Sequence, residues 1–364
     1  MPSVALVVIA KKEERSIGRF LESATRLVDE IIVVDTGSHD NTIEIARAAG
    51  ARVSHLDWID DFSAARNSAL ELTNAPWRLV LDADEWIAPE TNDIREICNR
   101  EEKFVGRVNI SNSFNADIAG RRQVLKSRDW ISRLLPIGVR YVGVIHEQPR
   151  HDLPIRNVPI YVLHDGYEDA QLQLKGDRNL LLLEQLMASG CDDEYYRYQY
   201  AKELIRKARF EDAAAQLTIV LSRIAGAAPW REEAVCSALQ SFGNSKWFDT
   251  GVELIENERT RYSASTDFWF CVGCFYIELA RAAPQIGGQA LELIELSFLR
   301  CIKIGEHETK SKVVGRGSFL AAQNLYAFYV ATHQPDKANR FKRLANEPAH
   351  HSASHDSASH ENHW

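Results

Sequence analysis

Acidic residues follow an apolar strand pattern in the stretch WRLVLDADEW, residues 77–86. Asp82, Asp84 and Glu85 lie within four positions at the end of this pattern. A strand that is buried on both faces gives a nearly continuous apolar run, and ligands of open parallel sheets bind just beyond the carboxyl ends of the strands. The three acids therefore fall where a ligand would bind.

Two of these acids, Asp82 and Asp84, have the spacing that lets two carboxylates beside a turn share one divalent cation. Hard oxygen ligands suit Mg²⁺ or Mn²⁺, ions that usually keep waters and accept substrate phosphates as further ligands. An isolated pattern this short is more often a solvated acidic turn. Its position after the fourth strand of an alternating series favours a site for a metal and a diphosphate.

Strand and helix patterns alternate through the first 90 residues and must position these acids. The strand patterns are SVALVVIA, EIIVVDT, ARVSHLDW and WRLVL, and the helical pattern FSAARNSALEL precedes the last of them. Such a series predicts a parallel, doubly wound sheet. Short strand-like runs from Lys103 to His164 predict that mixed strands extend the sheet.

Helical patterns replace strand patterns from about Glu168 to Asn346. Ala201 and Ala213 lie where two helices of a hairpin could approach closely, and similar blocks begin near Trp230, Asp267 and Gly317. The first two spacings are close to the tetratricopeptide period of about 34 residues, and the third is longer. We expect a degenerate tetratricopeptide-like array, with an unrelated helical bundle as the alternative.

Composition limits the class of protein. The chain has 364 residues, which suits about two domains, and its net charge of −8 argues against a nucleic-acid partner. Its apolar runs are short and interrupted by charge, so neither a membrane span nor a signal peptide fits, and we expect a cytoplasmic protein. The six cysteines show no disulfide or zinc pattern and are expected to be packed thiols.

Several ordered motifs resemble the family 2 glycosyltransferases with the GT-A fold, which transfer a sugar from a nucleoside-diphosphate donor with inversion. The motifs are VVIAKKEE, VDEIIVVDTGSHDNTIEIARAAGARV, DWIDDFSAARNSAL and WRLVLDADEW. The later motifs ISRLLPIGVRYVGVIHEQP, VLHDGY and KGDRN are similar to the branch with C-terminal tetratricopeptide-like helices, which includes the sublancin-type peptide S-glycosyltransferases. The resemblance covers roughly residues 3–190. Lys12 departs from it, because the family usually has Asn there, and this leaves the base preference open.

The resemblance implies an α/β GT-A domain, a doubly wound mixed sheet, followed by an all-α tetratricopeptide-like domain. We expect the GT-A domain at 1–168, a connecting helix at 169–190 and the helical domain at 191–346. The His- and Ser-rich segment 347–364 lacks core-forming residues and is expected to be disordered.

The resemblance also implies a binding site for a nucleotide-sugar donor, with a UDP-sugar as the expected donor. Ala10, Glu13 and Asp35 would line the uridine and ribose pocket, although Asp35 is equally a turn-forming residue before TGS. Arg66 would contact the base or the diphosphate. The full set of expected donor-binding residues is Ala10, Glu13, Asp35, Arg66, Asn67, Asp82, Arg133, Lys175 and Arg178.

Among the acids after the fourth strand, the resemblance implies that Asp84 is a direct metal ligand. Asp82 would orient the ribose and the metal waters and contribute to the metal site. His164 would be a late ligand, and an imidazole ligand favours Mn²⁺ over Mg²⁺. Glu85 is expected to face solvent or the acceptor.

The candidate general base is Glu147, at the end of the apolar pattern VGVIHE. An inverting transferase needs a base on the acceptor side to take the proton of the nucleophile. A structural, salt-bridged Glu is the alternative. His146 could orient Glu147 or replace it, above all for a thiol acceptor, whose pKa is lower than that of a hydroxyl.

Two other functions compete with a glycosyltransferase. A noncatalytic helical-repeat protein with a degenerate front domain would not need Asp82, Asp84, Glu147 and His164. A nucleotidyltransferase would want a Gly-rich phosphate loop after the first strand, and AKKEERS has none. The acceptor is open among a peptide cysteine, a protein hydroxyl and a glycan, and the helical array could recruit a peptide or form a homodimer.

Overall fold

The computed structural model of the 364-residue chain describes residues 1–118, 121–164, 169–283, 287–307 and 312–346. The chain divides into two compact units. The first combines Met1–Asn115 with Ser127–Leu186, and the second combines Ala116–Lys126 with the chain from Met187 onward. The segment 347–364, expected to be disordered, lies outside the described residues.

The first unit is built on an eight-stranded sheet with the order β3-β2-β1-β4-β7-β6-β10-β5. Its strands are β1 (Val4–Ala10), β2 (Glu30–Asp35), β3 (Arg52–His55), β4 (Trp77–Val80), β5 (Glu85–Ile87), β6 (Val105–Ile118), β7 (Arg121–Pro136) and β10 (Ile155–His164). A separate two-stranded sheet consists of β8 (Arg140–Val142) and β9 (Gln148–Arg150). The helices of this unit are α1 (Ile17–Ala24), α2 (Thr42–Ala48), α3 (Phe62–Glu71), α4 (Ile94–Cys98) and most of α5 (Asp169–Ala188).

The sheet is mixed. The first four strands are parallel neighbours, β7 is antiparallel to β4, β6 and β10 are parallel, and β5 is antiparallel to β10. The predicted parallel series and its extension by mixed strands are therefore confirmed. The patterns FVGRVNIS and ISRLLP, however, are parts of two strands of 14 and 16 residues, which the sequence did not predict at that length.

Both faces of the central strands are buried. Leu6 of β1 packs into one apolar cluster with Phe20 and Leu21 of α1, and its neighbour Val7 packs into a second cluster with Ala69 of α3. Side chains alternate between the two faces of a strand, so a strand covered on both faces must be apolar at every position. This explains the continuous apolar patterns of the first strands.

The second unit is helical. Its helices are α6 (Glu194–Arg206), α7 (Phe210–Arg223), α8 (Arg231–Ser245), α9 (Phe248–Glu258), α10 (Thr266–Ala282), α11 (Gly287–Ile304), α12 (Phe319–Ala331) and α13 (Pro335–Ala345). Ala201 of α6 and Ala213 of α7 are completely buried, as expected for helices in close contact. The starts of α6, α8 and α10 have near-tetratricopeptide spacing, and the start of α12 comes later. The helical region is confirmed, and its assignment to the tetratricopeptide class stays a prediction.

The cysteines and the helices were the subject of two composition-based expectations. All six cysteines are free thiols, and Cys98 and Cys301 are buried. Across the described ranges, every helix is too short or too polar to cross a bilayer.

Gly251 lets α9 pack directly on α10. A methyl group at this position would overlap the ring of Phe275, which is buried in α10. We predict that Gly251→Ala lowers the free energy of unfolding of the full-length chain by about 1–3 kcal/mol, the usual cost of overpacking. The measurement is a denaturant titration followed by circular dichroism.

The matched control is Gly288→Ala in α11. Among the described residues, no atom lies within 4 Å of a methyl group at Gly288, so the better helix propensity of Ala should leave stability unchanged or raise it by up to about 1 kcal/mol. Equal stability of the two variants would show that α9 and α10 do not meet at Gly251.

Candidate active site

The parallel strands of the first unit end at one edge of the sheet. Ala10 at the end of β1 is in register with Asp35 at the end of β2, and Asp35 is in register with His55 at the end of β3. The turn that contains Asp82 and Asp84 follows β4, the neighbour of β1 on the other side. The predicted nucleotide and metal residues therefore share this edge.

Asp35 organises the turn that follows β2. Its Oδ2 accepts hydrogen bonds from the backbone N–H groups of Gly37 at 3.0 Å and Ser38 at 3.2 Å, and it lies 3.4 Å from Nδ1 of His55. Burial alone would raise the pKa of Asp35, but the hydrogen bonds from Ser38 and Gly37 outweigh it and the pKa is lowered. Asp35 thus forms the turn and is ionised. Its contact with a nucleotide stays a prediction.

The loop after β1 is held by hydroxyl groups. The backbone N–H of Glu13 donates to Thr42 Oγ1 at 2.8 Å, and the Glu13 carboxylate accepts from Ser16 Oγ at 2.9 Å. Lys12 has a φ of 58°, in the left-handed region that Asn adopts more readily than Lys. The Asn that the family usually has at this position would suit the backbone.

Asp82 lies between two arginines. Its Oδ1 accepts a hydrogen bond from Nη2 of Arg66 at 2.6 Å, and its Oδ2 accepts one from Nη2 of Arg133 at 2.7 Å. Burial alone would raise the pKa of Asp82, but Arg133 and Arg66 outweigh burial and hold the pKa well below its usual range. Asp82 is therefore ionised, and each of its oxygens already has a protein partner.

Glu85 is buried, so it does not face solvent as one of the two expected alternatives had it, and a contact with the acceptor stays a prediction. Its Oε2 accepts a hydrogen bond from the backbone N–H of Asp82 at 2.8 Å, and its Oε1 lies 3.4 Å from Nη2 of Arg133. Glu85 begins β5, and pairing of this strand with β10 turns the side chain inward. Burial and the neighbouring charge of Asp82 raise the pKa of Glu85.

Helix α3 fixes the hairpin that carries Glu147. The amide of Asn67 donates to the backbone oxygen of Tyr141 and accepts from its N–H, both at 2.8 Å. The backbone N–H of Phe62 donates to the backbone oxygen of Val144 at 2.9 Å. These three hydrogen bonds hold β8 and the start of the segment that follows it against α3. Contact of Asn67 with the donor stays a prediction.

Arg66 joins Glu147 to the turn after β4. Its Nε donates to Oε1 of Glu147, while its Nη2 bonds Asp82. Burial would lower the pKa of Arg66, but the two carboxylates raise it. The ring of Tyr141 lies 5.5 Å from the guanidinium carbon. This ion pair is what the structural alternative predicted, so the roles of Glu147 as base and of His146 as its partner stay predictions.

Asp84 and His164 lie side by side, as the metal prediction requires. His164 Nε2 is 3.3 Å from Asp84 Oδ2. Two ligands bonded at about 2.1 Å to one cation, roughly at right angles, are about 3 Å apart, so this pair fits a shared ion. Within the described ranges, no group of three or more His, Cys, Asp or Glu side chains is arranged to hold a metal. A cation held by this pair would take its other ligands from water and donor phosphates.

The two cations expected after His164, Lys175 and Arg178, both belong to α5. Arg178, in α5, is exposed and its guanidinium carbon lies 4.9 Å from the centre of the Phe62 ring at the start of α3. The side chain of Lys175 lies outside the described residues. Their roles at the diphosphate stay predictions.

Sequence reasoning missed three residues that contact the predicted ones: His55 beside Asp35, Tyr141 beside Arg66, and Asn112 beside His164. His55 carried a usable signal, because it ends β3 at the edge where β1 and β2 end. The other two lie on strands whose pairing the sequence did not specify.

The chain is similar in sequence to several known proteins. Residues 5–126 match the model of glycosyl transferase family 2. A TPR repeat-containing protein of Synechococcus elongatus is 32% identical over 54% of this chain and 50% of its own length. The SPbeta prophage-derived glycosyltransferase SunS of Bacillus subtilis is 26% identical over 56% of this chain and 49% of its own. The chain spans about half the length of these relatives.

Among solved structures, glucosyl-3-phosphoglycerate synthase from Mycobacterium tuberculosis in complex with Mn²⁺, UDP and glucosyl-3-phosphoglycerate is 24% identical. The match covers 30% of this chain and 44% of that one, with a TM-score of 0.26. Residues 5–126 of this chain, which include the parallel strands β1–β4 and the acidic turn after β4, are therefore similar to family 2 glycosyltransferases.

Proposed function

We propose that this protein is a metal-dependent inverting glycosyltransferase that takes its sugar from a nucleoside-diphosphate donor, with UDP as the expected nucleotide. The acceptor is a peptide or protein side chain or a glycan. The observation that carries the proposal is the convergence of Asp84 and His164, which lie far apart in the chain, at 3.3 Å at one edge of the sheet.

The donor would lie along the ends of the parallel strands. Asp35 is ionised and buried at the end of β2, where a carboxylate can accept a hydrogen bond from a ribose hydroxyl or a base N–H. Asp84 lies in the turn between β4 and β5, and His164 ends β10, the strand that pairs with β5. Asp84 and His164 would hold the cation, which when bound would supply positive charge to the departing diphosphate.

Glu147 is the proposed base. Arg66 holds its Oε1, which leaves Oε2 as the oxygen that takes the proton of the acceptor hydroxyl or thiol. The acceptor oxygen or sulfur forms its bond to the anomeric carbon while the bond from that carbon to the diphosphate oxygen breaks. The electron pair of that bond leaves with the diphosphate, and the configuration at the carbon inverts.

Arg66 and Arg133 place positive charge among the carboxylates of the site. Both guanidiniums are almost completely buried, and together they face Asp82, Glu85 and Glu147. Two cations among three carboxylates reduce the repulsion that an incoming diphosphate would meet. Positioning the carboxylates before the donor binds also avoids reorganisation during the reaction.

The first prediction for this proposal concerns Asp84. Asp84→Ala should abolish Mn²⁺-dependent transfer, because it removes one of the two side chains that hold the cation. The fold should persist, since Asp84 lies in a turn at the sheet edge and not in an apolar cluster. Transfer is measured with a panel of nucleotide-sugars, with Mn²⁺ and with chelator, and folding by circular dichroism.

Asp152→Ala is the matched control, because Asp152 is an exposed aspartate on a loop of the same domain. It should turn over like the wild type. Wild-type turnover by Asp84→Ala with metal present would overturn the metal assignment.

The second prediction concerns Glu147. Gln keeps the shape of the side chain and can still accept a hydrogen bond from Arg66, but it cannot accept a proton. Glu147→Gln should therefore lower transfer by about 10²–10⁴-fold, the usual contribution of a general base. Donor affinity should change little, because proton removal belongs to the transition state. Single-turnover rates and donor titrations separate the two effects.

A thiol acceptor that is already ionised would reduce the loss, so thiol and hydroxyl acceptors are compared. His146→Gln, made in parallel, tests the neighbouring candidate. If Glu147→Gln matches the wild type on a hydroxyl acceptor while His146→Gln is impaired, the base is His146.

A further inference from the structure

A row of hydrogen bonds crosses three neighbouring strands and ends at His164. Asp129 of β7 accepts from Nδ2 of Asn112 of β6 at 2.9 Å, and Oδ1 of Asn112 lies 2.9 Å from Nδ1 of His164 of β10. The opposite ring nitrogen of His164 faces Asp84. β7, β6 and β10 are consecutive in the sheet, and Asn112 and His164 are directly paired in register.

The donor and acceptor groups of this row allow only one arrangement of its hydrogen bonds. Oδ2 of Asp129 accepts from the NH₂ group of Asn112, and this contact turns the amide oxygen of Asn112 towards His164. An amide oxygen also only accepts, so Nδ1 of His164 must carry the hydrogen. Nε2 is then the ring nitrogen that can give its lone pair to a cation.

We propose that Asn112 and Asp129 are positioning residues that keep the proton of His164 on Nδ1 and so present Nε2 to the metal. This inference rests on the proposed function, because it concerns residues that position His164, the metal ligand proposed there. Asn112 is 8% exposed, and a buried amide with both ends hydrogen-bonded holds its orientation. Partners of this kind fix the tautomer and ring orientation of metal-binding histidines.

The test combines Mn²⁺ affinity with a direct observation of the ring proton. Asn112→Ala should weaken Mn²⁺ binding by about 10–100-fold, the usual effect of losing such a partner. In metal-free protein, the wild type should show a His164 Nδ1–H signal by ¹⁵N-edited NMR, and Asn112→Ala should lose it. Manganese affinity is measured by electron paramagnetic resonance, and folding by circular dichroism.

Two further variants separate orientation from simple loss of packing. Asn112→Asp keeps an acceptor oxygen for Nδ1 and should retain the Nδ1–H signal. Asp129→Asn can offer either end of its amide to Asn112, so it should weaken Mn²⁺ binding in the same direction and by less. Asn115→Ala, at an exposed position on the same strand, is the control and should bind Mn²⁺ like the wild type.

Failure of this inference is distinguishable from failure of the proposed function. Equal Mn²⁺ binding by Asp84→Ala and the wild type would overturn the metal site, while the Nδ1–H signal would still report on Asn112. Wild-type Mn²⁺ affinity together with an unchanged Nδ1–H signal in Asn112→Ala would overturn the positioning role. An equal loss of Mn²⁺ affinity in Asn115→Ala would also overturn it, because the loss would then not come from the hydrogen bonds of Asn112.

Discussion

The guanidinium of Arg66 is the charge on which the candidate active site depends. It binds Asp82 after β4 and Glu147 before β9, two carboxylates that are distant in the sequence and that would repel each other at close range. The Arg66 and Glu147 side chains are both more than nine-tenths buried. Removing one partner of a buried pair leaves an uncompensated charge and costs about 3–5 kcal/mol. The ion pair therefore fixes the hairpin that carries Glu147 relative to the turn after β4.

The same cluster gives the two acids of the turn different environments. Both oxygens of Asp82 are held by arginines, so this residue belongs to the charge network that positions the site. Asp84, two residues later, faces His164 instead. The chain turns between the two positions, so the side chains point to different partners. Spacing alone treats the acids as an equivalent pair, whereas the structure gives them different partners, two arginines for Asp82 and His164 for Asp84.

The sequence predicted the parallel half of the sheet well because its strands are apolar on both faces and its helices are amphipathic. It also placed Asp35 and Asp84 at strand ends on periodicity alone. Pairing His164 with Asp84 required the family resemblance, because no local pattern shows that β10 lies beside β5. The burial of Glu85 was not predicted for the same reason: β5 has only three residues, too few for a periodic pattern, and its pairing with β10 decides which way Glu85 points.

The mixed strands explain why a parallel sheet alone could not build this site. β7 runs antiparallel to β4, with Leu134 opposite Leu79, so Arg133 comes level with the end of β4 and reaches Asp82. β10 runs parallel to β6 and ends with His164 beside Asn112, at the level where β5 begins. Strand direction and register thus bring an arginine and a histidine to the edge where β2 ends at Asp35 and the turn after β4 carries Asp82 and Asp84. A shift of one residue in β7 or β10 would turn either side chain to the opposite face of the sheet, so the long strands that the sequence patterns underestimated are what set the chemistry of the edge.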